Sequence, residues 1–86
     1  MMQQPNETVS FQRDIRPLFR QVDVDHMKPM GVVLDDYKYM SDDKNAKSVY
    51  EFLTGEQEPR MPPGGPYWGQ EQLDLFQAWM TGGRKP

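Results

Sequence analysis

The chain has 86 residues, no cysteine and a formal net charge of −3, with a pI near 5.0. It is long enough for one small domain, and disulfides, thiolate zinc sites, iron–sulfur clusters and thioether-linked haem are excluded. The acidic balance, with no basic stripe or arginine-rich run, argues against nucleic acid or an anionic membrane as partner.

A domain of this size buries only about 60% of the surface its unfolded chain exposes. The mean hydropathy of −0.88 is low, yet four Phe, four Tyr, two Trp and seven Met supply large apolar groups. Disordered chains are poor in aromatics, so a small core with polar edges is expected.

Residues 1–8 are polar and are expected to form a disordered tail. The opening "MMQQPNETVS" has neither a charged n-region nor an apolar h-region, which predicts a cytoplasmic protein. Ser10 is a natural N-cap. Phe11, Ile15, Leu18 and Phe19 then recur on one helical face, with Pro17 expected to kink or tighten the last turn. "VDVDHMKPMGVV" (22–33) has no sustained period and contains Pro29 and Gly31, so it reads as a loop with at most one short helical turn. "LDDYKYM" (34–40) predicts a brief helix with Tyr37 and Met40 on one side.

The clearest helix lies in "SDDKNAKSVYEFLTG" (41–55). Ser41 or Asp42 caps it, Asp43 suits its positive end, and Gly55 stands at C′. Its apolar stripe is Ala46, Val49, Tyr50 and Leu53. "EQEPRMPPGGPY" (56–67) is too rich in Pro and Gly for a helix and should run as an extended loop over the core. A last helix is expected from Gln70 to Thr81, with Gly69 as N-cap, Trp68 and Leu73 as a hydrophobic staple, and Leu73, Phe76, Trp79 and Met80 as its buried face. Gly82 and Gly83 end it, leaving 84–86 as a C-terminal tail. The fold class is all-α: three main helices plus a short one, in a single domain spanning 9–83.

The order of pieces carries a resemblance. "FQRDIRPLF" leads into a segment holding His26, the sole histidine; a middle helix follows, then "RMPPGGPYW", then a helix ending "WMTGG". From Val9 to Gly83 this resembles class I cytochrome c. The resemblance implies a bundle whose first and last helices cross, packed through Phe11, Ile15, Leu18, Phe19, Leu73, Phe76 and Trp79. It places His26 at the proximal haem ligand and Met61 at the distal one. Val22 and Asp25 stand where the family carries its attachment cysteines, and neither forms a thioether, so this is no c-type cytochrome.

Two functions follow as expectations. In the first, the fold persists without haem, its interior refilled by flexible side chains such as Met. The protein is then a non-catalytic binding or accessory module for another cytosolic protein such as an oxidoreductase, with no cofactor and no metal. In the alternative, haem b is held noncovalently by His26 and Met61 in a pocket lined by Met27, Met30 and Met40, for electron transfer. Asp23, Asp25 and His26 are a weaker metal-ligand set, better read as a solvated loop. Asp35-Asp36 and Asp42-Asp43 are read as helix-start residues rather than catalytic carboxylates. "PRMPPGGP" suits a rigid loop better than a polyproline ligand, and Tyr67 is the residue whose exposure would mark a protein-binding patch.

Overall fold

The computed structural model describes residues 9–58, 60–62 and 64–86; the expected tail at 1–8 lies outside the described residues, as do Pro59 and Pro63 of the proline-rich loop. The described chain is helical, and among the described residues no strand forms; a lone parallel bridge joins Ser10 to Lys85.

Ser10 caps the first segment as expected, its hydroxyl accepting the Arg13 N–H at 3.3 Å. The segment then winds as a wide π-helical turn at Phe11–Ile15, followed by a tight 3-10 turn at Arg16–Leu18. Pro17 lies in the tight turn; it has no N–H to donate into an α-helical ladder, so a regular helix cannot run through it. Phe11, Ile15 and Phe19 still face inward and are buried, while Leu18 is half-buried.

The segment expected as a loop is largely helix. α1 spans Gln21–Met27 and continues into a 3-10 turn at Lys28–Met30. Its start is held by Asp23, whose carboxylate accepts the Arg20 backbone N–H at 2.9 Å. Val24 and Met27, three apart, turn into the core. Two turns are too short to display a 3.6-residue period, and the Val-Asp-Val-Asp alternation hides it.

α2 (Tyr37–Met40) is the expected brief helix, capped by Asp36. α3 (Asp43–Thr54) starts at Asp42, whose carboxylate accepts the Lys44 and Asn45 N–H groups, and stops at Gly55 with φ +89°. Ala46, Val49 and Leu53 are buried as the stripe requires. Phe52 joins them, whereas Tyr50 is half-buried and stacks on Phe76 with centroids 6.0 Å apart. α4 (Gln70–Thr81) has the expected bounds; the Gln72 carboxamide oxygen accepts the Gly69 N–H at 2.9 Å. Trp68 and Phe76 are buried and Leu73 is half-buried.

The core is organised by a chain of aromatic rings. Tyr37 meets Phe11 at 5.8 Å, Phe11 meets Trp79 at 5.5 Å, Trp79 meets Phe76 at 5.5 Å, Phe76 meets Phe19 at 6.5 Å, and Phe19 meets Trp68 at 5.2 Å. All five pairs are tilted or edge-on, arrangements the ring quadrupole favours. The chain of rings packs the first segment against α4 and carries the packing out to the start of α4.

The C-terminal residues are built into this packing. The Lys85 carbonyl accepts both the Phe11 N–H at 2.9 Å and the Trp79 indole N–H at 2.8 Å. Tyr37 donates its hydroxyl to the Arg84 carbonyl at 2.5 Å, and Ser10 donates its own to the Pro86 carbonyl at 2.7 Å. Arg84 reaches back to the Ser41 carbonyl at 2.8 Å and to the Asp43 carboxylate at 3.2 Å.

Candidate functional site

His26 lies on the outer side of α1 and is exposed, and among the described residues it has no hydrogen bond or ion pair. On a helix that turns Val24 and Met27 inward, Asp25 and His26 between them fall on the opposite side, whereas Asp23 stays on the buried flank. Met61 is the reverse: it is 1% exposed, and its N–H donates to the Phe52 carbonyl at 2.9 Å. Of the methionines expected to line a haem pocket, Met27 and Met40 are sealed in the common core and Met30 is exposed. A planar cofactor needs both axial atoms facing one slot. A solvent-facing imidazole and a thioether packed among core side chains do not frame one, so these residues do not fit haem in this arrangement.

The acidic residues near His26 are occupied separately. Asp23 is buried, 1% exposed, and its carboxylate accepts the Arg20 Nε–H at 3.1 Å and Nη2–H at 2.8 Å besides the backbone N–H. That carboxylate raises the Arg20 guanidinium above its ordinary pKa. Asp25 accepts from Gln21 at 3.0 Å. Among the described residues no three His, Asp or Glu side chains are grouped as metal ligands. Asp36 and Asp42 cap helices, while Asp43 pairs with Arg84. At the N-terminal cap, the Arg13 guanidinium, aided by the Ser10 N–H and opposed by partial burial, holds Asp14 below the usual carboxylate range. Burial, then the nearby Asp42 charge, pushes the Tyr39 phenol up.

The described residues also form two concave features. A cleft of about 410 Å³ lies at the junction of the chain's two ends, walled by Phe11, Arg16, Tyr37 and Pro86 with Gln12 and Asp35 at its margin. Its principal polar groups are committed: Arg16 donates to the Phe19 carbonyl at 3.1 Å and Tyr37 to Arg84. The second is a groove of about 190 Å³ between the first segment and the proline-rich loop, with Leu18, Pro62, Pro66, Tyr67 and Trp68 as apolar walls and Arg20, Asp23 and Gln72 as polar ones.

The smaller groove is the richer in unused recognition chemistry. Tyr67 is exposed (48%), and the Arg60 guanidinium lies 4.1 Å over its ring. A guanidinium held over an aromatic face by cation–π attraction spends none of its N–H donors on that contact. Among the described residues, Arg60 makes no hydrogen bond or ion pair. Neither does the Trp68 indole N–H, nor the amide nitrogen of Gln72, whose oxygen is spent on Gly69. Sequence reading singled out Tyr67 but not Arg60. The two sit seven positions apart in an aperiodic loop, and only the folded path of the chain stacks them.

Comparison with family models, curated proteins and solved structures gave no match. Among the described residues, no helix is long and apolar enough to cross a membrane.

Proposed function

We propose that this chain is a non-catalytic binding module with a cytochrome c-like arrangement of helices and no haem, which engages another protein through the face formed by the 60–68 loop. Its support is Arg60, without a hydrogen bond or ion pair among the described residues, lying over the exposed ring of Tyr67, which itself lines the groove. The order of elements and the Phe11–Trp79 contact between the first segment and α4 agree with the cytochrome-like arrangement. Met61 standing among core side chains agrees with an interior refilled without cofactor. The carboxylates are scattered and mostly committed, Asp36 and Asp42 to helix caps and Asp14, Asp23 and Asp43 to ion pairs, with none among the described residues beside His26 as a partner, which favours a binding role over catalysis.

Titration with haemin tests the reading directly. The module is expected to unfold cooperatively in the absence of haemin and to show no saturable low-spin Soret band. A stoichiometric low-spin spectrum, lost in both His26→Ala and Met61→Ala, would establish the haem b alternative and overturn the module.

A further inference from the structure

We infer that the groove beside Tyr67 takes an extended, proline-containing segment of a partner protein bearing one acidic side chain, whose carboxylate is gripped by Arg60. The inference rests on the reading of the chain as a haemless binding module and names what that module binds.

Three observations select this chemistry. The first is Arg60 itself. Its side chain passes Gly55 so closely that a Cβ there would sit 3.0 Å from Arg60 Cδ and 3.1 Å from Nε, and its guanidinium then lies over the Tyr67 ring. Glycine is required at 55 in any case by its positive φ. Held between backbone and ring, the guanidinium is confined before any ligand arrives, so little rotamer entropy is lost on binding. A planar fork with free N–H edges matches a carboxylate in bidentate geometry.

The second observation is a pair of unspent donors on residues that line the groove, the Trp68 indole N–H and the Gln72 amide. A polyproline II segment makes no internal hydrogen bonds and offers its carbonyls outward. An apolar aromatic wall carrying N–H donors suits such a segment, the mode used wherever proline-rich peptides are recognised.

The third is the surrounding charge. Glu56 and Glu58 are exposed in the same loop, so a run of acidic residues would be repelled, whereas a single carboxylate aligned with Arg60 would not.

The probe is the acetylated, amidated hexapeptide Pro-Leu-Pro-Glu-Pro-Leu, titrated into the full chain and followed by the NMR signals of the Tyr67 ring and Arg60 Nε–H. Exchange of its Glu for Gln is expected to weaken binding roughly tenfold, the scale of a lost hydrogen bond to a charged group. Exchange for Lys should weaken it further, and hexaglutamate should bind less well than the probe. Arg60→Gln should lower affinity for the Glu peptide to that of the Gln peptide, and Arg60→Lys should lose most of the preference because the fork is gone. Equal affinity for the Glu, Gln and Lys peptides, or no binding by any of them at millimolar concentration, overturns the inference. Because the peptide series needs no protein variant, it decides the matter even if Arg60 substitutions disturb the loop. A haem spectrum would sink the module itself; a failed peptide series with no haem spectrum would remove only this ligand.

Discussion

At the junction of the chain's two ends, polar groups converge on partners. Lys85's single carbonyl takes two donors, and Arg84 and Tyr37 are bonded across more than forty positions of sequence. Around Tyr67 the pattern is opposite: a guanidinium, an indole N–H and an amide nitrogen sit beside apolar walls with no partner among the described residues. Buried polar groups that lack partners cost free energy, so saturation marks the region that holds the fold. Around Tyr67 the unspent donors carry no such cost, because among the described residues no side-chain N or O atom is both buried and without a partner. The contrast places the saturated polar groups and the unspent donors at different ends of one chain of rings, with Tyr37 and Phe11 at one end and Trp68 at the other.

The sharpest way to break this contrast is to remove the ring at the saturated end. Trp79 is fully buried between Phe11 and Phe76, and Trp79→Ala is expected to cost about 3–5 kcal/mol, read from urea denaturation followed by circular dichroism. Against a total of roughly 5–15 kcal/mol for a small domain, this brings the protein close to unfolding. Met61→Ala should cost about 2–5 kcal/mol as an ordinary core deletion. A smaller loss, under about 1 kcal/mol, would show that Met61 does not serve as core and would reopen its assignment as a ligand.

Arg84 tests whether the C-terminal bonds stabilise the junction or merely decorate it. It has φ +51°, a conformation in which a side chain is strained, and it holds the Ser41 carbonyl and the Asp43 carboxylate. Arg84→Ala should lose about 1–2 kcal/mol in the same denaturation assay, and Arg84→Gly should lose less because glycine relieves the backbone. An unchanged Arg84→Ala would show that the junction is held by its apolar rings alone.

Much of this fold is legible in the sequence because its helices carry their own punctuation. Asp42 and Gly55 bracket α3, and Gly69 with Gln72 opens α4 at the expected residue. α1 is not legible, because two turns containing alternating Val and Asp do not reveal a helical period, and its N-cap is Arg20, a residue type that does not announce a helix start. The grip on 84–86 is equally invisible. It joins residues as far apart as Ser10 and Pro86 through main-chain groups that every sequence possesses. For the candidate site, Tyr67 beside the prolines is a readable signal. The stacking of Arg60 depends on the tertiary path of an irregular loop, which no periodicity encodes.

A gentler probe of the saturated end uses acid. Asp14 has its carboxyl lowered chiefly by Arg13. A carboxylate whose folded pKa lies below its unfolded value of about 3.9 contributes stability that is complete above that value and vanishes as pH falls through the folded pKa. The pair is largely solvated, so the contribution is under about 1 kcal/mol. Unfolding free energies of the parent and Asp14→Asn should therefore differ at neutral pH and converge as pH falls through the lowered folded pKa of Asp14. A difference that persists unchanged in acid would assign the effect to packing rather than charge.

The smallest effect belongs to His26, and its smallness is informative. An exposed side chain on α1 with no partner among the described residues should tolerate His26→Ala within about ±0.5 kcal/mol, whether or not haemin is present. A residue that ligates haem would behave differently, because any ligand bound to the native state adds stability that rises with ligand concentration. Denaturation midpoints of the parent and His26→Ala, each with and without haemin, form a two-by-two comparison. Four coincident midpoints mean that the resemblance at this position is one of chain order and not of chemistry. A midpoint that rises with haemin in the parent alone would return His26 to the role its place in the sequence implies.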